Sequence, residues 1–366
     1  MASDYLKTVT ITSGRKPFSL LAGGSLPEVT IAYETWGELS PARDNLIMIA
    51  TGLSASSHVA RHAPTDEPGW WEAMVGPGHP IDTNRYFVVC TNVLGGCFGS
   101  TGPTSVNPAS GSAYGVDFPV IHVEDMVEAQ TGVLDHLGVE RAFTVIGASL
   151  GGMLAFQWGA QEPARVQSIC AIAAPGRAYA FSIAWRAVQR RVVTADPAFK
   201  GGRYEPGRGP VAGLNHARAI GILSYRSAEE FDRRFGRDWD EEAGCFAVES
   251  YMQYNAAKFG TRFDANSYLT IARSMDFFDL GRGAASYEEG VARIRPPALV
   301  VGFTSDLLFP LSQPREVAEI LRREGRPVRY EEFETVHGHD TFLIEIDRLG
   351  ALLTEFFASV SSCGLA

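Results

Sequence analysis

The stretch Gly147-Ala148-Ser149-Leu150-Gly151-Gly152 leaves the chain few options. The apolar run Phe143 to Ile146 ahead of it reads as a short buried strand, and the Ala-Leu-Phe-Trp face behind it reads as a helix running to Pro163. A Gly-x-Ser-x-Gly turn between a strand and a helix is so tight that its flanking positions must lack side chains, and it lifts the serine hydroxyl above the sheet edge. An ordinary glycine-rich turn can carry the same letters, so the pentapeptide acquires chemical meaning only from its context.

The context is a run of short apolar strands. Residues 28–36 alternate as an early, half-exposed strand, and Asn45 to Ala50, Tyr86 to Cys90 and Ser168 to Ala173 are near-continuously apolar. Val123 to Leu137 has helical spacing. Strands of this kind, alternating with helices, predict a mostly parallel sheet covered on both faces. The rhythm breaks after Pro175, where an Arg-, Tyr- and Phe-rich helical region runs to about residue 290. It resumes at Pro297–Phe303 and Val328–Phe333, and Leu343 to Phe357 reads as a closing amphipathic helix. The expectation is an α/β-hydrolase fold in residues 1–175 and 291–366, with a mainly helical lid and dimerisation insertion in 176–290.

A serine hydroxyl is a poor nucleophile at neutral pH and needs a base, and an imidazole base needs an orienting carboxylate. In this fold class the three follow in the order Ser, Asp or Glu, His. Asp306 stands just past a late strand, and His339 lies six residues beyond Phe333. Alone, such an Asp is usually a turn former and such a His usually structural. With Ser149 they form a candidate catalytic triad, with His337 the second choice for the base. The N–H of Leu150 and that of Leu53, in the Thr51–Ser57 loop, are the candidate oxyanion hole.

Composition narrows the partners. A net charge of −10 over 366 residues argues against a nucleic-acid or anionic-membrane surface, and no apolar run approaches the ~20 residues of a membrane span. Met1 to Tyr5 lacks the basic and apolar regions of a secretory signal. The five cysteines (Cys90, Cys97, Cys170, Cys245, Cys363) include no Cys-x-x-Cys pair, which fits reduced thiols in a cytoplasmic protein. Cys90 and Cys170 read as core residues, Cys97 less clearly so. No ligand-spaced His/Cys cluster suggests a metal.

Gly-Ala-Ser-Leu-Gly-Gly-Met at 147–153 resembles the Gly-Gly-Ser-Met-Gly-Gly-Met elbow of the homoserine O-acetyltransferase family. The resemblance spans nearly the whole chain. It includes Tyr33-Glu34-Thr35-Trp36-Gly37, Gly69-Trp70-Trp71, the block from Gly76 to Cys97, Gly99-Ser100-Thr101-Gly102-Pro103, Val248-Glu249-Ser250-Tyr251, Phe263–Leu269, Thr304-Ser305-Asp306 and Gly338-His339-Asp340. It implies a ping-pong acyltransferase in which Ser149 takes an acyl group from acyl-CoA and passes it to the hydroxyl of a small amino acid. CoA is then a substrate, acetyl-CoA by default, and no bound cofactor is implied.

The resemblance also assigns Arg218 and Tyr225 to the acceptor's carboxylate and Asp340 to its ammonium, and it implies a homodimer. Thr51-Gly52-Leu53-Ser54-Ala55, where typical members read His-Ala-Leu-Thr-Gly, and Thr341, where they read Ala, look like the family's serine branch. Ser54 thereby joins the substrate-binding candidates. L-serine O-acetylation in cysteine biosynthesis is the expectation. The alternatives are homoserine O-acetylation in methionine biosynthesis, succinyl-CoA as donor, and an esterase on the same triad. A catalytically dead binding protein ranks last because Ser149, Asp306 and His339 are intact. Arg186, Arg190 and Arg191 read as a solvated helix face, with CoA phosphates as the alternative contact.

Overall fold

Eight strands build the central sheet: Lys7–Thr12 (β1), Val29–Trp36 (β2), Leu46–Ala50 (β3), Phe87–Thr91 (β4), Ala142–Ala148 (β5), Val166–Ile172 (β6), Ala298–Phe303 (β7) and Val328–Phe333 (β8). They lie in the order β1-β2-β4-β3-β5-β6-β7-β8 in this computed structural model. Its described residues are 5–12, 16–205 and 207–363. Met1 to Asp4, on which the reading of the N-terminus drew, lie outside them. β2 runs antiparallel to β1 and β4, and every other pairing is parallel. This is the mostly parallel sheet expected of an α/β-hydrolase fold.

The near-continuous apolar runs follow from two covered faces. β3, β5 and β7 are buried at every position. Alternate residues feed two separate cores, as a period of two demands. Met48, Val145 and Val300 pack with Val127 and Leu134 of helix α1 (Val123–Leu137) and Leu154 and Trp158 of α2 (Leu150–Gln161). Ile47, Ile49, Ile146 and Val301 face the other way, in the core that holds Leu349, Leu353 and Phe357.

Between β6 and β7 the chain forms α3 (Ala180–Ala195), α4 (Val211–Tyr225), α5 (Ala228–Phe235), α6 (Ala247–Gly260) and α7 (Ala265–Asp276), followed by α8 (Tyr287–Ala292). A short ribbon, Trp239–Asp240 against Cys245–Phe246, joins α5 to α6. The arginines of α3 do not form the solvated face read from the sequence. Arg186 Nε and Arg190 Nη1 each lie 2.6 Å from a carboxylate oxygen of Asp276, and both Arg186 and Asp276 are buried. The three charges fasten α3 to α7, and only Arg191 is exposed.

α9 (Ser312–Arg323) follows β7. The single closing helix expected from Leu343 breaks at Glu345 into α10 (Thr341–Ile344) and α11 (Ile346–Cys363). The break lets Phe342 and Leu343 line a cavity while Leu349 and Leu353 pack on the sheet. Cys90 and Cys170 are buried and free, with burial pushing both thiols up. Cys97 is half-buried, and burial raises its thiol to about 12. Among the described residues, no helix is long and apolar enough to cross a membrane.

Candidate active site

Sheet order places the chemistry. Ala50 of β3 is in register with Gly147 of β5, so the loop that opens at Thr51 emerges beside the elbow. The Ser149 N–H donates to the Ile172 carbonyl of β6 at 3.0 Å. Ser149 is held at φ 61° and ψ −121°, a region that costs a side-chain-bearing residue about 1–3 kcal/mol. The glycines around it are steric requirements. A Cβ on Gly147 would lie 2.4 Å from the Gly151 carbonyl carbon, and one on Gly151 would lie 2.1 Å from the Ala50 oxygen.

His339 Nδ1 is 2.7 Å from Asp306 Oδ2, and the second Asp306 oxygen accepts the Phe309 N–H at 2.9 Å. A carboxylate only accepts, so Nδ1 carries the proton and Nε2 of the neutral ring is a bare lone pair. Nε2 is buried without a hydrogen-bond partner among the described residues. Burial opposes charging of the ring, but Asp306 and then Asp340 outweigh it, so His339 titrates above an ordinary histidine. His337 points elsewhere: its Nδ1 lies 3.7 Å from Glu230.

Ser149 and His339 share a cavity of about 250 Å³. It also brings together Leu53, Ser54, Arg218, Tyr225 and Asp340, whose numbers lie up to almost three hundred apart. Asp306 stands behind His339. Leu150 opens α2, so its N–H has no acceptor within the helix and, with the positive end of the helix dipole, faces any charge growing at Ser149. Arg218 is half-buried against the rings of Tyr225 and Phe259, at 5.3 and 5.4 Å, and 3.5 Å from Ser54 Oγ. No carboxylate pairs with it among the described residues. Asp340, by contrast, already pairs with Arg226 Nε at 3.1 Å. Burial raises its carboxyl while Arg226 opposes that. Burial likewise raises Tyr225, which keeps its hydroxyl protonated.

Trp70, Phe342 and Leu343 also line the cavity. Trp70 entered the sequence reading only as part of a resembling block, since an apolar wall has no chemical signature of its own. Thr341, read from the sequence as a mark of the serine branch, is buried and lies outside the cavity lining. Its hydroxyl donates to the Gly338 carbonyl at 2.7 Å and lies 3.3 Å from that of Thr335, bracing the histidine loop.

One cluster escaped the search for ligand-spaced residues, because Glu34 is remote in sequence from its partners. The ligand atoms of Glu34, His58 and His62 lie within 4.8 Å of one another. That spacing suits a divalent cation, yet the donors are already engaged. Buried Glu34 accepts from Ser57 Oγ at 2.9 Å, His58 Nδ1 at 2.9 Å and His62 Nε2 at 2.8 Å. His58 Nε2 meets the Glu67 carbonyl at 2.8 Å, so both its nitrogens donate and the ring is an imidazolium. The Ser57 N–H donates to Asn92 Oδ1 at 2.7 Å. Together these bonds fix the loop that carries Leu53 and Ser54 to β2 and β4.

Residues 45–343 match the α/β hydrolase fold family. Over 94% of its length the chain is 49% identical to a serine O-succinyltransferase of Litchfieldella anticariensis, covering 97% of that protein. It is 46% identical to a homoserine O-acetyltransferase of Symbiobacterium thermophilum, covering 96% of this chain and 94% of that one. A crystal structure of homoserine O-acetyltransferase from Bacillus anthracis superposes with a TM-score of 0.87 at 27% identity, covering 97% and 98%. That of esterase E22 gives 0.87 at 25%, covering 96% and 100%.

Proposed function

Because the chain belongs to the homoserine O-acetyltransferase family of the α/β-hydrolase fold, and is an acyltransferase of amino-acid biosynthesis, we propose that it acylates the hydroxyl of L-serine from acyl-CoA. One observation carries the reading. A serine on a strained turn, a buried imidazole with a bare Nε2 and an unpaired guanidinium line one cavity. The first two are an acyl-transfer engine, and the third is a receptor for a carboxylate.

In the first half-reaction Ser149 Oγ attacks the thioester carbonyl and Nε2 of His339 takes the hydroxyl proton. The Leu53 and Leu150 N–H groups receive the oxyanion. The C–S bond then breaks, and the imidazolium returns its proton to the CoA sulfur. In the second, Arg218 holds the amino acid's carboxylate, with Tyr225 beside it and Asp340 toward the ammonium. Nε2 takes the acceptor's hydroxyl proton, that oxygen attacks the acyl-serine ester, and Ser149 leaves reprotonated. Asp306 fixes the ring's tautomer throughout. α4 lines the site, Phe259 of α6 packs against its Arg218, and the two helices limit water while the ester waits.

Serine is favoured over homoserine by the Thr51–Ala55 loop and by the serine O-succinyltransferase relative. The same relative favours succinyl-CoA over the acetyl-CoA expected from sequence. A methylene in the acceptor is worth about 1–3 kcal/mol, so the preference is one of degree. Esterase E22 superposes as well as the transferase does, which supports hydrolysis as the second reading.

Thiol release from acetyl-CoA and succinyl-CoA, each with L-serine, L-homoserine or buffer, separates them. Release should require an amino acid and be fastest with serine. Release indifferent to the amino acid would establish a hydrolase, and faster turnover with homoserine would reverse the acceptor. Intact mass after acyl-CoA alone should show an adduct that Ser149→Ala abolishes.

A further inference from the structure

Outside the catalytic cavity lies a second one of about 620 Å³, and the two share Ser54, Ala55, Trp70 and Arg218 in their walls. The two cavities adjoin through those four residues. The inner chamber, at about 250 Å³, is smaller than the ~300–1,000 Å³ of pockets that enclose a drug-sized ligand. A long donor must therefore leave most of its length outside.

The outer chamber is lined by Phe98, Trp70, Lys258 in the last turn of α6 and Arg262 just beyond it. Neither cation pairs with a carboxylate among the described residues. Lys258 rests over the Tyr254 ring at 4.7 Å, and both side chains are exposed. Glu67 is the carboxylate of this lining, and its backbone carbonyl is the one that engages His58. In a chain with net charge −10, two free cations lining the cavity beside the catalytic one form a local positive field that attracts anions. Of the α3 arginines, Arg186 and Arg190 are engaged by Asp276, and neither they nor Arg191 line this chamber.

We propose that Lys258 and Arg262 bind the phosphate groups of the CoA donor, with the thioester arm passing between Ser54, Trp70 and Arg218 to reach Ser149. This rests on the reading of acyl-CoA as donor. Ammonium and guanidinium groups recognise phosphate, and Phe98, which lines only the outer chamber, offers the nucleotide end an apolar face. The two cations act on donor affinity and leave the chemical steps alone.

The test compares acyl-CoA with the corresponding acyl-pantetheine, which has the same thioester and no phosphate, in wild type, the Lys258→Ala/Arg262→Ala double variant and Lys258→Arg/Arg262→Lys. The alanine pair should raise KM for acyl-CoA about tenfold at unchanged kcat, the scale of two solvent-exposed ionic contacts. It should leave acyl-pantetheine kinetics as they are, and the charge-conserving pair should restore acyl-CoA. Added salt should weaken acyl-CoA in wild type and not in the alanine pair. Equal losses on both donors, or no loss on either, would overturn the phosphate site while leaving the acyltransferase intact. Wild type that acylates Ser149 from neither thioester would instead remove the donor reading and this site with it.

Discussion

Asp340 follows the catalytic-base candidate His339, and its charge helps hold that imidazole's pKa above the ordinary value. The base works only when neutral, so acylation should switch on as pH rises through this elevated value. Asp340→Asn removes one of the two carboxylates responsible. The acidic limb of the burst rate with acyl-CoA alone should then move to lower pH, in a half-reaction that needs no amino acid. An unmoved limb would leave Asp306 as the only influence. Ser149, Asp306 and His339 were legible because the chemistry dictates both their types and their order along the chain. Arg218 was not, except through the family resemblance. Among Ala217, Ala219 and Ile220 it looks like any helix arginine. Packing is what sets it apart, by holding its guanidinium against Tyr225 and Phe259 with no carboxylate paired to it among the described residues. Thr341 was legible as a marker without a place, since one letter cannot tell a side chain that touches substrate from one that braces the loop behind it.

Between elements, two ionic joints make separate predictions. Asp276 holds Arg186 and Arg190 together in the α3–α7 contact. Asp276→Ala strands two cations, one of them fully buried, and should cost about 3–5 kcal/mol, read as a lower denaturation midpoint. Replacing all three by apolar residues of similar volume should recover most of the loss. The Glu34–His58 joint gives a pH signature instead. Burial opposes charging of His58, but the Glu67 carbonyl and Glu34 overcome it and raise its pKa above 6.5. That stabilisation is complete below the unfolded value and fades as pH rises through the folded one. Burial also works against Glu34, yet its bonds from His62, His58 and Ser57 bring it below 4.5. Its share is complete above the unfolded value and fades as pH falls through the folded one. The two overlap fully between 4.5 and 6.5. The Tm deficit of His58→Gln should therefore be largest there and shrink in alkali; a deficit independent of pH would mean that charge is irrelevant to the joint. Apolar runs announced the strands because burial on both faces leaves no other composition. The joints were silent because Glu34 and Asp276 meet partners far away in the chain.

At the scale of the molecule, a sheet whose strand order puts β3 beside β5 sets one loop and one turn together, and helix α4, from the stretch between β6 and β7, adds Arg218 and Tyr225 to the cavity wall. The inner and outer chambers adjoin at Ser54, Ala55, Trp70 and Arg218, and with the donor seated as proposed above both substrates of the transfer would travel a single corridor. Traffic through it is one molecule at a time. Departing CoA must clear the corridor before the amino acid can come in, and lingering CoA blocks the acyl-enzyme. Free CoA should therefore inhibit competitively against the amino acid and noncompetitively against acyl-CoA, and excess acyl-CoA should slow turnover by occupying the acylated form. Competition against the donor instead would require a second door. A cell that lets its free CoA pool rise would thus throttle this enzyme at its second step, with Ser149 already loaded and waiting.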